Sequence, residues 1–267
     1  MNTNVVLLGG LAGFTIFLGL PLAFLKSLNL RVRGFLTAMS TGILVFLLVE
    51  ITAKVIDSIE DLTVSAAGGF HTLRDTLFYG SIFAAGLFAG LVGLVWFEKQ
   101  FIRAGQGEQT PAENAHRLSL MIAIGLGLHN LSEGLAIGQA YGWGNASLGL
   151  LLVVGFALHN ATEGFGIVGP LAGHPTSWGF LALAGLIGGG PTMLGALIGS
   201  YWTIKPLEIF FLSLASGSIL YIIGELLHLG RELKEETVAA GGLLIGFFLA
   251  FVTDLLILVS SGGLGRT

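Results

Sequence analysis

LSLMIAIGLGLHNLSEGLAIGQAYGWGNASLGLLLVVGFALHNATEGFGIVG, residues 118–169, reads as two apolar helices joined by a short turn at Gly142-Trp143-Gly144-Asn145-Ala146. The runs 118–141 and 147–169 each reach the roughly 20 residues a helix needs to cross a ~30 Å hydrocarbon core. Each carries the same phrase: Leu128-His129-Asn130-Leu131-Ser132-Glu133-Gly134 and, thirty residues on, Leu158-His159-Asn160-Ala161-Thr162-Glu163-Gly164. Within a copy, His and Glu are four apart and share one helix face. Ionisable groups at bilayer depth are costly, and they face a cavity or a partner. One such His would be an ordinary core residue. Two copies of His-Asn-x-x-Glu-Gly on adjacent spans point instead to a paired metal site.

Composition extends this reading to the whole chain. Hydrophobic residues make up 54% of 267 and charged residues only 10%, against about 25% charged in soluble domains. The class is therefore all-α integral membrane protein. The net charge of −4 comes with no basic patch, so no nucleic-acid partner is expected. With no cysteine, disulfides and thiolate ligands are excluded. Six more apolar runs fall near 4–25, 34–56, 76–97, 177–202, 208–229 and 238–260, giving eight spans in one domain, 1–267. The first run lacks a basic leader and a small-x-small site before Lys26, and reads as a retained span. The longer connections, 57–75 and 98–117, are too short for a separate domain. The second (Glu98, Lys99, Arg103, Gly105, Gly107, Pro111, Glu113) reads as a solvated loop with a single His.

Lys and Arg favour the cytoplasmic side. Lys26, Arg31, Arg33, Lys99, Arg103, Arg117, Arg231 and Lys234 fall on one side of an eight-span chain; Lys54, Arg74, Lys205 and Arg266 fall on the other. The imbalance puts both termini outside the cytoplasm, in a multi-pass cell-membrane protein. Spans two and seven also match. Ser40-Thr41-Gly42-Ile43-Leu44-Val45-Phe46 is followed by Glu50, eight residues after Gly42, and Ala215-Ser216-Gly217-Ser218-Ile219-Leu220-Tyr221 by Glu225, eight after Gly217. On this topology those spans run oppositely, which is the pattern of an inverted repeat, with spans 1–3 and 6–8 around the 4–5 hairpin.

Centring the hairpin on Ala146 sets His129 level with Glu163 and Glu133 level with His159. The two levels lie about 6 Å apart at 1.5 Å per residue. Two imidazoles and two carboxylates suit Zn²⁺, Fe²⁺, Mn²⁺ or Co²⁺ rather than Cu⁺, which prefers sulfur. Asn130 and Asn160 point about 100° away and are read as a second, weaker position. Ser132 and Thr162 are placed to bond back to i−4 carbonyls. Glu50 and the acidic stretch Asp57, Glu60, Asp61, His71 and Asp75 suggest one mouth of a path, with Glu225, His228 and Glu232 at the other. Asp254 has no evident partner. No phosphate loop is present, so no ATP drive is encoded here. Two other classes compete with transport. A b-type cytochrome would use His129 and His159 as haem ligands, though Glu133 and Glu163 spoil an apolar pocket. An intramembrane metalloenzyme would need a spare general base, which four ligating side chains do not leave. The chain is thus expected not to be an enzyme.

With these residues in hand, the chain resembles the ZIP (Zrt-/Irt-like) family of divalent metal transporters over nearly its whole length. The family's span-four motif His-Asn-x-Pro-Glu-Gly matches His129, Asn130, Glu133 and Gly134, and its span-five motif matches His159, Asn160, Glu163 and Gly164. The resemblance implies eight spans with both termini outside and a binuclear metal site between spans four, five and six. The cargo it implies is Zn²⁺ first, with Fe²⁺, Mn²⁺, Co²⁺ and Cd²⁺ as further candidates. It also implies a homodimer and an elevator-type movement of spans one, four, five and six against a scaffold of two, three, seven and eight. Two positions depart from the family. Its motif prolines are here Ser132 and Thr162. Gly190, in Gly188-Gly189-Gly190-Pro191, stands where relatives carry a bridging Glu. The second departure predicts one tightly bound metal per chain, and a stoichiometry nearer two in Gly190→Glu.

Overall fold

In lipid, backbone N–H and C=O groups must be paired within the segment that carries them, so long apolar runs become helices. The computed structural model describes residues 2–24, 30–64, 70–102, 110–171, 173–202, 204–232 and 236–260. Its helices are α1 (Asn2–Phe14), α2 (Leu30–Val64), α3 (Phe70–Phe97), α4 (Pro111–Gly142), α5 (Ala146–Val168), α6 (Trp178–Gly199), α7 (Lys205–Glu232) and α8 (Glu236–Ser260). With the turns that prolong α1 and α3, eight helical segments among the described residues are long and apolar enough to cross a membrane, as fits a multi-pass membrane protein.

Helix ends depart from the apolar runs where polar sequence continues the helix. α2 runs on to Val64, because Ile56, Ile59 and Leu62 keep an apolar stripe among Asp57, Glu60 and Asp61. α4 starts at Pro111, well before residue 118. Thr110 accepts from the Glu113 amide at 3.3 Å, and Glu113 accepts from the Thr110 amide at 2.8 Å. This is a capping box with proline at the first helical position. The described parts of the supposed loops 57–75 and 98–117 are therefore largely helical, with Glu98–Ile102 forming a π-helical turn on the end of α3. Arg103 lies outside the described residues, as do Lys26, Lys234 and Arg266. α1 gives way to 3₁₀ turns at Thr15–Leu18 and Leu20–Phe24.

Glycine contacts show how the helices meet, and they occur in matched pairs. A Cβ on Gly42 of α2 would strike the Leu243 carbonyl and the Phe247 amide of α8. One on Gly217 of α7 would strike the Leu87 carbonyl and the Leu91 amide of α3. Gly246 of α8 lies on the Met39 carbonyl; Gly90 of α3 lies on the Leu214 carbonyl. The offsets are constant, 175 residues from α2 to α7 and 156 from α3 to α8. Gly13 of α1 and Gly189 of α6 each abut the other's carbonyl. Gly134 of α4 lies on the Thr192 carbonyl of α6, and Gly164 of α5 on the Ile16 carbonyl beyond α1. Here the offsets are 176 from α1 to α6 and 30 from α4 to α5. The same 176 relates the 3₁₀ break at Thr15 to Pro191, the proline inside α6.

Two groups of helices result. In one, α4 packs on α5 and α6, and α1 on the same two; in the other, α2 packs on α7 and α8, and α3 on α7. Contacts of α4 with α7 and of α2 with α5 join the groups. α3 and α8 are the helices least buried by the rest of the chain.

Candidate functional site

α4 and α5 present their repeated residues to one another in the interior. His129, Asn130, Glu133, His159, Asn160 and Glu163 are all buried, the most exposed of them at 4%. His129 Nε2 stands 3.4 Å from Glu133 Oε1 on its own helix and 3.5 Å from Glu163 Oε1 on α5. The level pairing of His129 with Glu163 is thus found. On the opposite diagonal the partner of Glu133 is Asn160, whose Nδ2 donates to Glu133 Oε2 at 3.2 Å. His159 is buried within electrostatic range of His129, yet its two ring nitrogens have no hydrogen-bond partner among the described residues. His129 thus has a carboxylate from each helix beside it, and Glu133 has the Asn160 amide. Among the described residues no set of three or more His, Asp or Glu side chains is arranged to hold a metal ion without adjustment.

The two asparagines are tied to the neighbouring helices. Asn130 Nδ2 donates to the Gly188 carbonyl of α6 at 3.0 Å, and Asn160 Nδ2 to the Ala12 carbonyl of α1 at 3.2 Å. These acceptors are again 176 residues apart. A carbonyl takes a donor, so each amide turns its NH₂ toward backbone and leaves Oδ1 as a buried acceptor with no hydrogen bond among the described residues. Both oxygens of Glu163 lack a hydrogen bond of ordinary geometry among the described residues, with the Asn130 side chain close by. Buried polar atoms are almost always paired, so these acceptors are candidates for binding a ligand. Asn160 is also tied directly to Glu133.

The remaining sequence expectations divide. Ser132 and Thr162 do bond back, but to the carbonyls of His129 and His159, three residues earlier and 2.7 Å away. The shorter reach holds the carbonyl of the motif histidine itself. Gly190 does not face the site. It shares the outer stripe of α6 with Leu183, Leu186, Leu194 and Leu197, all exposed, and a Cβ there would meet nothing within 4 Å. The α6 residue that touches the site is Gly188. Gly190→Glu is therefore expected to leave the metal stoichiometry unchanged, against the sequence expectation; metal content per purified chain checks this.

Glu50 is half-buried and lies in electrostatic range of His129, Lys54 and Asp254, which gives Asp254 a neighbour that its sequence does not reveal. A narrow crevice lined by Ser40, Ile43, Leu44, Leu126, Thr162, Glu163 and Gly166 leads from Glu163 to α2. At the other mouth Glu225 is half-buried beside Tyr221, and His228 is exposed. Asp57, Glu60 and Asp61 are partly or fully exposed on α2, and Asp75 is partly exposed. The side chains of His71 and Glu232 lie outside the described residues. Sequence reasoning missed the backbone acceptors Ala12 and Gly188 and a buried ion pair, Glu98 with Arg117. Glu98 beside Lys99 and Arg117 beside His116 read as parts of a solvated loop, so no local pattern signalled that pair.

No protein-family model matches the chain, and no curated protein matches it.

Proposed function

We propose that the chain carries divalent transition-metal cations across a membrane, toward the cytoplasm, through the His129–Glu133–Glu163 site. The observation that carries this reading is the contact of one buried imidazole nitrogen with two buried carboxylates on a duplicated motif. A tetrahedral metal bound at roughly 2.0–2.1 Å holds neighbouring donors about 3.3–3.4 Å apart, and the two distances from His129 Nε2 are of that size. Rotation of His159, or the freed oxygens of Asn130 and Asn160, would complete the shell. The donor set favours Zn²⁺, with Fe²⁺, Mn²⁺, Co²⁺ and Cd²⁺ as competing cargo.

The matched glycine and asparagine contacts support an inverted repeat of α1–α3 and α6–α8 around α4–α5, and with it access from alternating sides. Membership of the ZIP family, the homodimer, the elevator-type movement and the outward termini rest on the motif resemblance and on the Lys and Arg bias. The haem reading loses support because His129 Nε2 faces two carboxylates. An enzymatic role has no free general base in this site.

Purified protein reconstituted in liposomes tests the proposal, with internal metal dyes reporting uptake of each cation. Saturable Zn²⁺ uptake is expected; a folded protein that neither binds nor passes any of the five cations would exclude it. Asn160→Ala should weaken Zn²⁺ binding by about tenfold, the lower end of what an outer-shell partner is worth. Calorimetric titration measures it.

A further inference from the structure

Glu98 is a carboxylate buried to 4% exposure in the π-helical turn that ends α3, and it is ion-paired with Arg117 of α4. Such turns interrupt a helix where something other than regular packing is required. The pair joins the two helix groups. α4 belongs with α1, α5 and α6, α3 belongs with α2, α7 and α8, and these two helices touch sparingly elsewhere. Tyr221, with Glu98 and Glu225 among its electrostatic neighbours, is buried under the pair. Ile122 and Leu126, on the stretch of α4 between Arg117 and His129, belong to the buried core with Leu94 and Ile222, all at 4% exposure or less. Gly125 is packed on Ile222.

The other end of the molecule lacks this connection. By the offsets that relate the two halves, Arg117 corresponds to Ser147 and Glu98 to Asp254. Serine carries no charge, so α5 and α8 have no equivalent ion pair at that place. The arrangement is otherwise repeated closely, which makes the pair a one-sided feature added to a two-sided frame. It is also poorly explained as a stabiliser. A buried ion pair gains little over apolar residues of the same size, whereas a fixed pair between two moving bodies selects one of their arrangements.

We propose that Glu98 and Arg117 form a latch between the two helix groups, one that holds the site closed toward the α3–α4 end and must part before the site opens there. The latch rests on the transport reading only for its purpose. The opening itself is a property of the helices and requires no cation.

The absence of cysteine gives a direct test. Ser40 is 2% exposed and lines the crevice beside Glu163. It lies ten residues along α2 from the α1–α2 connection, on the same side as the α3–α4 connection when spans alternate. Ser40→Cys is introduced as the only thiol, and a membrane-impermeant maleimide is applied from that side, without metal. Slow labelling is expected with the latch intact, and labelling at least about tenfold faster in Arg117→Gln and in Glu98→Gln. The doubly neutral Glu98→Gln/Arg117→Gln leaves no lone buried charge, so it remains usable if a single variant fails to fold; it too should label fast. The exchange Glu98→Arg/Arg117→Glu should restore slow labelling. The latch is refuted if the doubly neutral variant labels as slowly as the parent, or if the exchanged pair labels as fast as the neutral one. Neither result bears on which residues hold the metal, so failure of the latch and failure of the transport site are separate outcomes.

Discussion

Replacing Glu163 with alanine is expected to lower cation uptake and binding by more than about a hundredfold while leaving the protein as stable as before, or more so. Neither carboxylate oxygen has a hydrogen bond of ordinary geometry among the described residues, although the Asn130 side chain and the His129 ring lie near it, and the group is 2% exposed. Burying a charge that its donors satisfy poorly costs free energy, so its removal relieves the fold of a strain. For a bound dication the same carboxylate is half of the negative charge supplied by Glu133 and Glu163 and stands 3.5 Å from the imidazole that shares the metal. Loss of an outer-shell partner weakens metal sites about 10–100-fold, and loss of a charged ligand should exceed that. Opposite signs for function and stability are what a site kept for binding produces. Glu133→Ala should match it in uptake and be less favourable to stability, because Glu133 accepts from Asn160. Liposome flux and thermal melting of the same preparations decide the matter. Wild-type flux in Glu163→Ala would remove that residue from the site.

The sequence revealed the fold class and the number of spans because both follow from hydrophobic run length, which lipid enforces without reference to tertiary contacts. Span boundaries were legible only where charge and helix end coincide. The end of α2 fails that condition, since Asp57, Glu60 and Asp61 lie on a helix that continues past them. The start of α4 was written in Thr110-Pro111-Ala112-Glu113, a capping signal that a hydropathy criterion passes over. For the site, the four-residue spacing placed His129 and Glu133 together, and the hairpin centre placed Glu163 opposite them. It could not foresee Asn160 as the hydrogen-bond partner of Glu133, because hairpin symmetry fixes levels along the helices and not rotation about them. Gly190 failed for the same reason. A position beside Pro191 gives height in α6, but the helix turns it toward the outer stripe. The amide contacts of Asn130 and Asn160 depend on carbonyls of α6 and α1, more than fifty residues distant in sequence. No local pattern encodes such contacts.

The second large effect concerns the glycine that closes each motif. Gly164→Ala is expected to destabilise the protein by about 1–3 kcal/mol or more, the usual range for forced overpacking. The added Cβ would strike the Ile16 carbonyl and come within 2.9 Å of the Gly19 Cα. Both obstacles are backbone, which cannot turn aside as a flexible side chain does. Gly134→Ala meets the equivalent obstacle in the Thr192 carbonyl, with the Ala196 amide 2.9 Å away, and should cost a similar amount. The close approach serves the site as well as the packing, because Asn160 can reach the Ala12 carbonyl only while α5 lies against α1. Prising those helices apart should therefore release Asn160 and weaken cation binding in whatever fraction still folds. Gly190→Ala is the control, since a Cβ there meets nothing and removes only the flexibility of glycine in a helix. Melting followed by fluorescence-detected gel filtration separates the three variants. Equal melting of Gly164→Ala and Gly190→Ala would mean that α1 and α5 do not pack through this contact, and the amide link from Asn160 to Ala12 would fall with it.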